Sequence, residues 1–213
     1  MISYDPSFGY ELAVIIRDGI RRMYTEQEDI FYYLTVYNEN YAMPALPEGE
    51  GIIDGIIKGA YCYRRSKRKK GETINLLSSG AIMQQAIQSA ESLEESGYRV
   101  NIWSVTSFIE LEREAQICER WNRLHPTESP KEPYIKGLFK NEKGVFVAVT
   151  DYMKSLPNSI ARWMPEFYTV LGTDGYGLSE SRDDIRDYFE VSSRCISQAA
   201  ISLLYRAGHI NKI

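Results

Sequence analysis

Apolar positions in the first two dozen residues recur every three or four places. Phe8, Leu12, Ile15, Ile16, Ile20 and Met23 form one stripe, and the Asp5-Pro6 pair ahead of them joins a capping acceptor to a proline. That combination predicts a helix over 5–24. The period then changes: Ile30 to Tyr37 is an aromatic, β-branched run that predicts a strand. From Asn38 to Gly49 periodicity is lost and two prolines interrupt the chain, which reads as an extended linker. A domain boundary falls near residue 45, separating 1–44 from 45–213. One helix and one strand on roughly 40 residues bury too little surface for a core. The first unit is therefore expected to be the end of a domain that begins outside the sequence, with its apolar surfaces poorly covered.

Beyond the linker, strand-like and helix-like patterns alternate. Strands are predicted at 60–64, 73–78, 99–105, 145–150 and 168–171, and helices at 81–96, 108–124, 157–163, 182–189 and 193–207. Ile82, Ala86, Ala90 and Leu93 stripe the first of these helices, and Gly97 supplies its stop. Ser107-Phe108-Ile109-Glu110 opens the next with a capping box. Val145-Phe146-Val147-Ala148-Val149 is apolar without alternation, so both of its faces are covered. The expected fold class is α/β: an open, mostly parallel sheet with helices on both faces.

Composition narrows the function classes. The 25 basic and 29 acidic residues give a net charge of −4, which argues against a dedicated polyanion binder. The three cysteines, Cys62, Cys118 and Cys195, form no Cys-x-x-Cys pair, and an odd, scattered set suits a reducing compartment. The start shows no basic region followed by an apolar run, and no stretch nears the ~20 apolar residues that span a bilayer. A cytoplasmic location without membrane attachment is expected.

Ligands of open α/β sheets bind at the carboxyl ends of strands. Four such ends carry small polar or acidic groups: Ser78-Ser79-Gly80, Thr106-Ser107, Thr150-Asp151 and Thr173-Asp174. Ser79, Thr106, Asp151 and Asp174 are thus candidates for one crevice that binds an anion or hydroxyl; helix capping alone accounts for the same residue types. Gly172-Thr173-Asp174-Gly175-Tyr176-Gly177 matches neither the dinucleotide nor the phosphate-loop pattern and reads as a tight turn. Arg64-Arg65-Ser66-Lys67-Arg68-Lys69-Lys70 places six basic residues in seven between two predicted strands. It is a patch for nucleic acid or an acidic partner, or more simply a solvated hairpin loop. No aromatic residue interleaves it for base stacking, so nucleic acid is not the expected partner. His125 and His209 have no neighbours at metal-ligand spacing, and no nucleophile elbow is present.

Six strings occur in an order that resembles one family: Ile2-Ser3-Tyr4-Asp5-Pro6, Asn38-Glu39-Asn40-Tyr41-x-Met43-Pro44-Ala45, Val105-Thr106-Ser107-Phe108, Cys118-Glu119-Arg120-Trp121-Asn122, Thr150-Asp151-Tyr152-Met153 and Val170-Leu171-Gly172-Thr173-Asp174-Gly175. Together they resemble the homodimeric, transketolase-like decarboxylating component of pyruvate dehydrogenase. The resemblance spans nearly the whole chain, including Arg206-Ala207-Gly208-His209-Ile210, beyond which family members carry a short further tail. It implies thiamine diphosphate and magnesium, decarboxylation of pyruvate, and acetyl transfer to a lipoyl group on an acyltransferase core. It also implies that 1–44 closes a pyrimidine-binding α/β domain and that 45–213 is a transketolase carboxyl-terminal-like domain, structural and dimer-forming.

The resemblance assigns no catalytic, cofactor or metal residue to this chain. Gly172-Thr173-Asp174-Gly175 lacks the asparagine of a diphosphate motif at the proper distance, the next being Asn211. The family's activating glutamate and catalytic histidines match positions upstream of Met1. The chain alone is therefore expected to bind no thiamine diphosphate and to be inactive without its upstream domains. The alternative is a free-standing α/β binding or scaffold module that has kept only the fold.

Overall fold

The computed structural model describes residues 1–211. The chain opens with strand β1 (Ile2–Tyr4), helix α1 (Gly9–Ile20) and strand β2 (Tyr32–Leu34), and the two strands pair in parallel. The helix starts later than its apolar stripe predicts. Asp5 and Pro6 stay extended because they lie against the rest of the molecule, and Glu11 caps the helix by accepting from the Ser7 and Phe8 N–H groups. Its last turn widens into a π-helical segment over Arg21–Thr25. The aromatic run yields a strand of three residues, because β1 offers three pairing partners. After the irregular linker comes a helix that hydrophobic periodicity did not reveal, α2 (Ile52–Lys58), bounded by Gly51 and Gly59.

The remaining strands are β3 (Tyr61–Arg64), β4 (Thr73–Ser78), β5 (Arg99–Ser104), β6 (Val145–Val149) and β7 (Tyr168–Leu171). They form one sheet in the order β3-β5-β4-β6-β7, parallel throughout except for the antiparallel edge strand β3. Since β5 lies between β3 and β4, the basic loop at 64–71 is a crossover and not a hairpin.

The helices are α3 (Met83–Glu95), α4 (Phe108–Leu124), α5 (Tyr134–Phe139), α6 (Ser155–Asn158), α7 (Arg182–Tyr188) and α8 (Ser193–Arg206). The helix expected at 157–163 is two short pieces, α6 and a 3-10 turn at Ala161–Trp163. Alternate strand residues feed two cores. Ile74, Leu76, Val100 and Val147 meet α3 and α8, whereas Leu77, Trp103, Phe146 and Ala148 meet α4 and α5. Each fully buried aliphatic side chain stabilises this arrangement by about 1.5–3 kcal/mol. A third, smaller core joins Ile2, Tyr4, Val14 and Ile15 of the first unit to Ile56 of α2 and Tyr61 of β3. Residues 1–44 are thus packed on the domain along their inner face, while Ile20, Tyr24, Phe31, Tyr33 and Val36 stay exposed, so the expectation of poor covering holds for the outer face and not for the inner one. No helix among the described residues is long and apolar enough to cross a membrane.

Candidate functional site

The strand order puts the topological switch point between β4 and β6, where a doubly wound sheet opens its ligand crevice. Residues of the first unit lie there. The Gly80 N–H after β4 donates to the Asp5 carbonyl at 3.3 Å, and the Asp5 N–H donates to the Thr106 carbonyl at 2.7 Å. The Ser107 hydroxyl donates to the Ser3 carbonyl at 2.6 Å. Thr35 and Tyr37 hydroxyls donate to the Asp5 carboxylate. Gly80 has φ of +52°, and a Cβ there would lie 2.0 Å from the Tyr37 hydroxyl, so backbone freedom and close approach both call for glycine.

The four candidate residues are distributed along this edge. Ser79 and Thr106 are buried beneath residues 3–5; the Thr106 hydroxyl donates to the Ile56 carbonyl at 2.7 Å, and the Ser79 hydroxyl has no partner among the described residues. Asp151 stands exposed at the rim. Crowding by protein raises its pKa, against Arg186 and with Asp5 and Glu39 adding, although solvent at the rim screens the effect. Asp174 accepts from the Lys154 N–H at 2.9 Å and lies 3.7 Å from its Nζ. Ser107 fills half of the predicted capping box. Its oxygen accepts from the Glu110 N–H, while the Glu110 carboxylate turns to Arg113. A mostly apolar cavity of about 310 Å³ remains between β2 and the strand ends, lined by Tyr4, Tyr33, Ser79, Val105, Phe108 and Tyr152.

The strongest polar constellation is one that pattern reading missed. Glu11 is fully buried, and its carboxylate accepts four hydrogen bonds. Oε2 takes the Ser7 and Phe8 N–H groups at 2.6 and 3.1 Å; Oε1 takes the Tyr61 and Ser104 hydroxyls at 2.7 and 2.6 Å. The Tyr10 and Tyr61 hydroxyls share a further bond of 2.5 Å. Loss of hydration pushes the Glu11 pKa up, and the four donors oppose it. The available signal was a carboxylate three positions after Phe8, near the start of the predicted helix. A second fastening lies in the linker. Glu39 pairs with Arg182 and Arg186 of α7, each at 3.3 Å, and accepts from the Tyr41 hydroxyl at 2.6 Å.

This edge therefore binds a neighbouring piece of polypeptide. A magnesium diphosphate asks for carboxylate and amide oxygens free to face the ion. Asp174 is taken by Lys154, and the Thr173 hydroxyl donates to the Asp151 carbonyl. No three His, Cys, Asp or Glu side chains gather as ligands among the described residues. The donor set does not fit that group. His125 stacks on Trp121, and His209 faces Glu72 at 3.0 Å.

Comparison with known proteins gives the same architecture a lineage. Residues 59–192 match the model of the transketolase-like TK C-terminal domain, and residues 1–44 match that of the pyruvate dehydrogenase E1 component middle domain. The chain is 45% identical over 210 residues to the pyruvate dehydrogenase E1 component of Pseudomonas aeruginosa, covering 98% of itself and 24% of that protein. It is 46% identical over 214 residues to the Escherichia coli K12 protein of the same name, again covering 24% of it. The chain thus spans about a quarter of the length of these relatives. Its fold is similar to that of a transketolase from Pichia stipitis, with a TM-score of 0.64 at 16% identity over 97% of this chain and 25% of that one. With a domain model matched across more than half of its length and E1 relatives aligned along nearly all of this chain, the chain belongs to the transketolase-like C-terminal domain family, in the form carried by pyruvate dehydrogenase E1 components.

Proposed function

We propose that this chain serves as the carboxyl-terminal part of a thiamine-diphosphate-dependent pyruvate dehydrogenase component, which decarboxylates pyruvate and passes acetyl to lipoyl groups of an acyltransferase core. Its own contribution is structural: it carries the end of the middle domain, residues 1–44, and holds it in place beside a carboxyl-terminal domain from residue 45 on. Identity of 45% and 46% to two E1 components along nearly the whole of this chain carries this reading. The Glu11 and Glu39 fastenings support it, because both tie the first unit or the linker to the second. Coenzyme and magnesium would be held by upstream domains, in a cytoplasmic homodimer.

Co-expression with the upstream region of a related E1 component tests this. The expected result is pyruvate-dependent acetylation of a lipoyl domain by the pair and none by either part alone. Calorimetry should find no micromolar binding of thiamine diphosphate to the chain alone. A pair that assembles yet stays inactive, or a chain that binds the coenzyme by itself, would overturn the assignment.

A further inference from the structure

The basic loop between β3 and β4 has no place in the reading above. Its base is fastened. Arg64 pairs with Glu94 at 3.4 Å, and Arg65 makes a two-pronged pair with Glu142 while its guanidinium lies 4.7 Å from the Trp103 ring centre. The Ser66 N–H donates to the Asn101 side chain at 3.1 Å, and the Ser66 hydroxyl donates to Glu94 at 2.7 Å. The far end is fixed by Gly71, at φ +108°, where a Cβ would lie 2.2 Å from the Gly97 carbonyl oxygen. Between these anchors Lys67, Arg68, Lys69 and Lys70 are all exposed, and none of them forms an ion pair among the described residues. Four like charges held side by side repel one another, so a fastened loop that presents them has a cost which a partner would offset.

We propose that the Lys67–Lys70 tip is a docking site for a short acidic protein segment. The footprint favours carboxylates over nucleic acid. Four cations on one turn suit a compact acidic cluster, whereas the chain's net charge of −4 opposes a long polyanion tracking onward over its surface. Trp103 at the base is buried under Arg65, and the Lys67–Lys70 tip itself carries no aromatic ring on which bases could stack.

The test uses a fluorescein-labelled peptide with a cluster of about four glutamates and a single-stranded oligonucleotide of about the same length, titrated by anisotropy at low and physiological salt. Two variants of the chain carry the same change in net charge. One replaces Lys67, Arg68, Lys69 and Lys70 by glutamine, and the other replaces Arg120, Arg123, Lys136 and Arg206, exposed cations elsewhere. The expected result is salt-sensitive peptide binding that falls at least about tenfold in the loop variant, as four exposed charge pairs imply, and within about twofold of wild type in the other. Equal loss in both variants would reduce the effect to net charge and overturn the site. Tighter binding of the oligonucleotide than of the peptide would overturn the partner. Thermal melts of both variants, expected to match wild type, separate loss of binding from loss of fold.

Discussion

Glu11 is the residue on which the contact between the two units turns. Replacing it with alanine would leave two N–H groups and two hydroxyls facing a hole, at a cost of roughly 3–5 kcal/mol. Glutamine keeps one acceptor oxygen, and the Tyr61 and Ser104 hydroxyls can rotate to accept from its amide, so Glu11→Gln should cost less than half as much. Denaturant melts of the two variants check the ranking. The pH dependence follows from the direction of the shift. The folded-state pKa of Glu11 is raised by burial, so its contribution is full below about 4.3, the ordinary glutamate value, and declines as pH rises through the raised one. Tyr10 and Tyr61, the titratable groups in contact with it, stay neutral across that window because burial raises both further. The advantage of wild type over Glu11→Gln should therefore narrow from mild acid toward neutrality. An advantage that widens would mean that the four donors outweigh burial.

At the scale of elements, the first unit is a cover laid across the strand ends of the five-stranded sheet. The five-stranded sheet and its two large cores are built almost without residues 1–44; Phe8 joins the α3–α8 core and Tyr10 packs against it. Deleting 1–44 should leave a remainder that still melts cooperatively but is less stable by about 3–6 kcal/mol, for uncovering Ile56 and Tyr61. A broad, non-cooperative melt would show that the boundary near 45 is misplaced. The central strands were legible because β4 and β6 are buried on both faces and so read as continuous apolar runs. The stripes of α3 and α8 were legible because Ile82, Ala86, Leu93, Ile196, Ala200 and Leu204 all face one core. β1, α2 and α5 were not, since three to seven residues are too few to display a period. The crevice was legible only as a set of residue types. Its covering depends on Asp5 and Tyr37, which reach Gly80 through a fold that no local pattern encodes.

The molecule as a whole presents an inner face that is packed and an outer one that is bare. Parallel strand pairs rarely stand as two-stranded sheets, because both of their faces need cover. Around β1 and β2, Ile20, Tyr24, Phe31, Tyr33 and Val36 are all exposed. Under the proposed reading these side chains meet the remainder of the middle domain, whose family model matches residues 1–44. In the isolated chain nothing described here covers them, and apolar surface of that kind drives association. Sedimentation velocity should accordingly find concentration-dependent oligomers. The double substitution Phe31→Ser with Tyr33→Ser should shift the population toward monomer without lowering the melting temperature by more than a few degrees, because both rings are largely in water already. Adding the upstream region should suppress the same oligomers by occupying the same face. A chain that stays monomeric at high concentration, and whose hydrodynamics the two serines leave unchanged, would show that this face needs no cover and would favour a self-sufficient module over a supporting lobe.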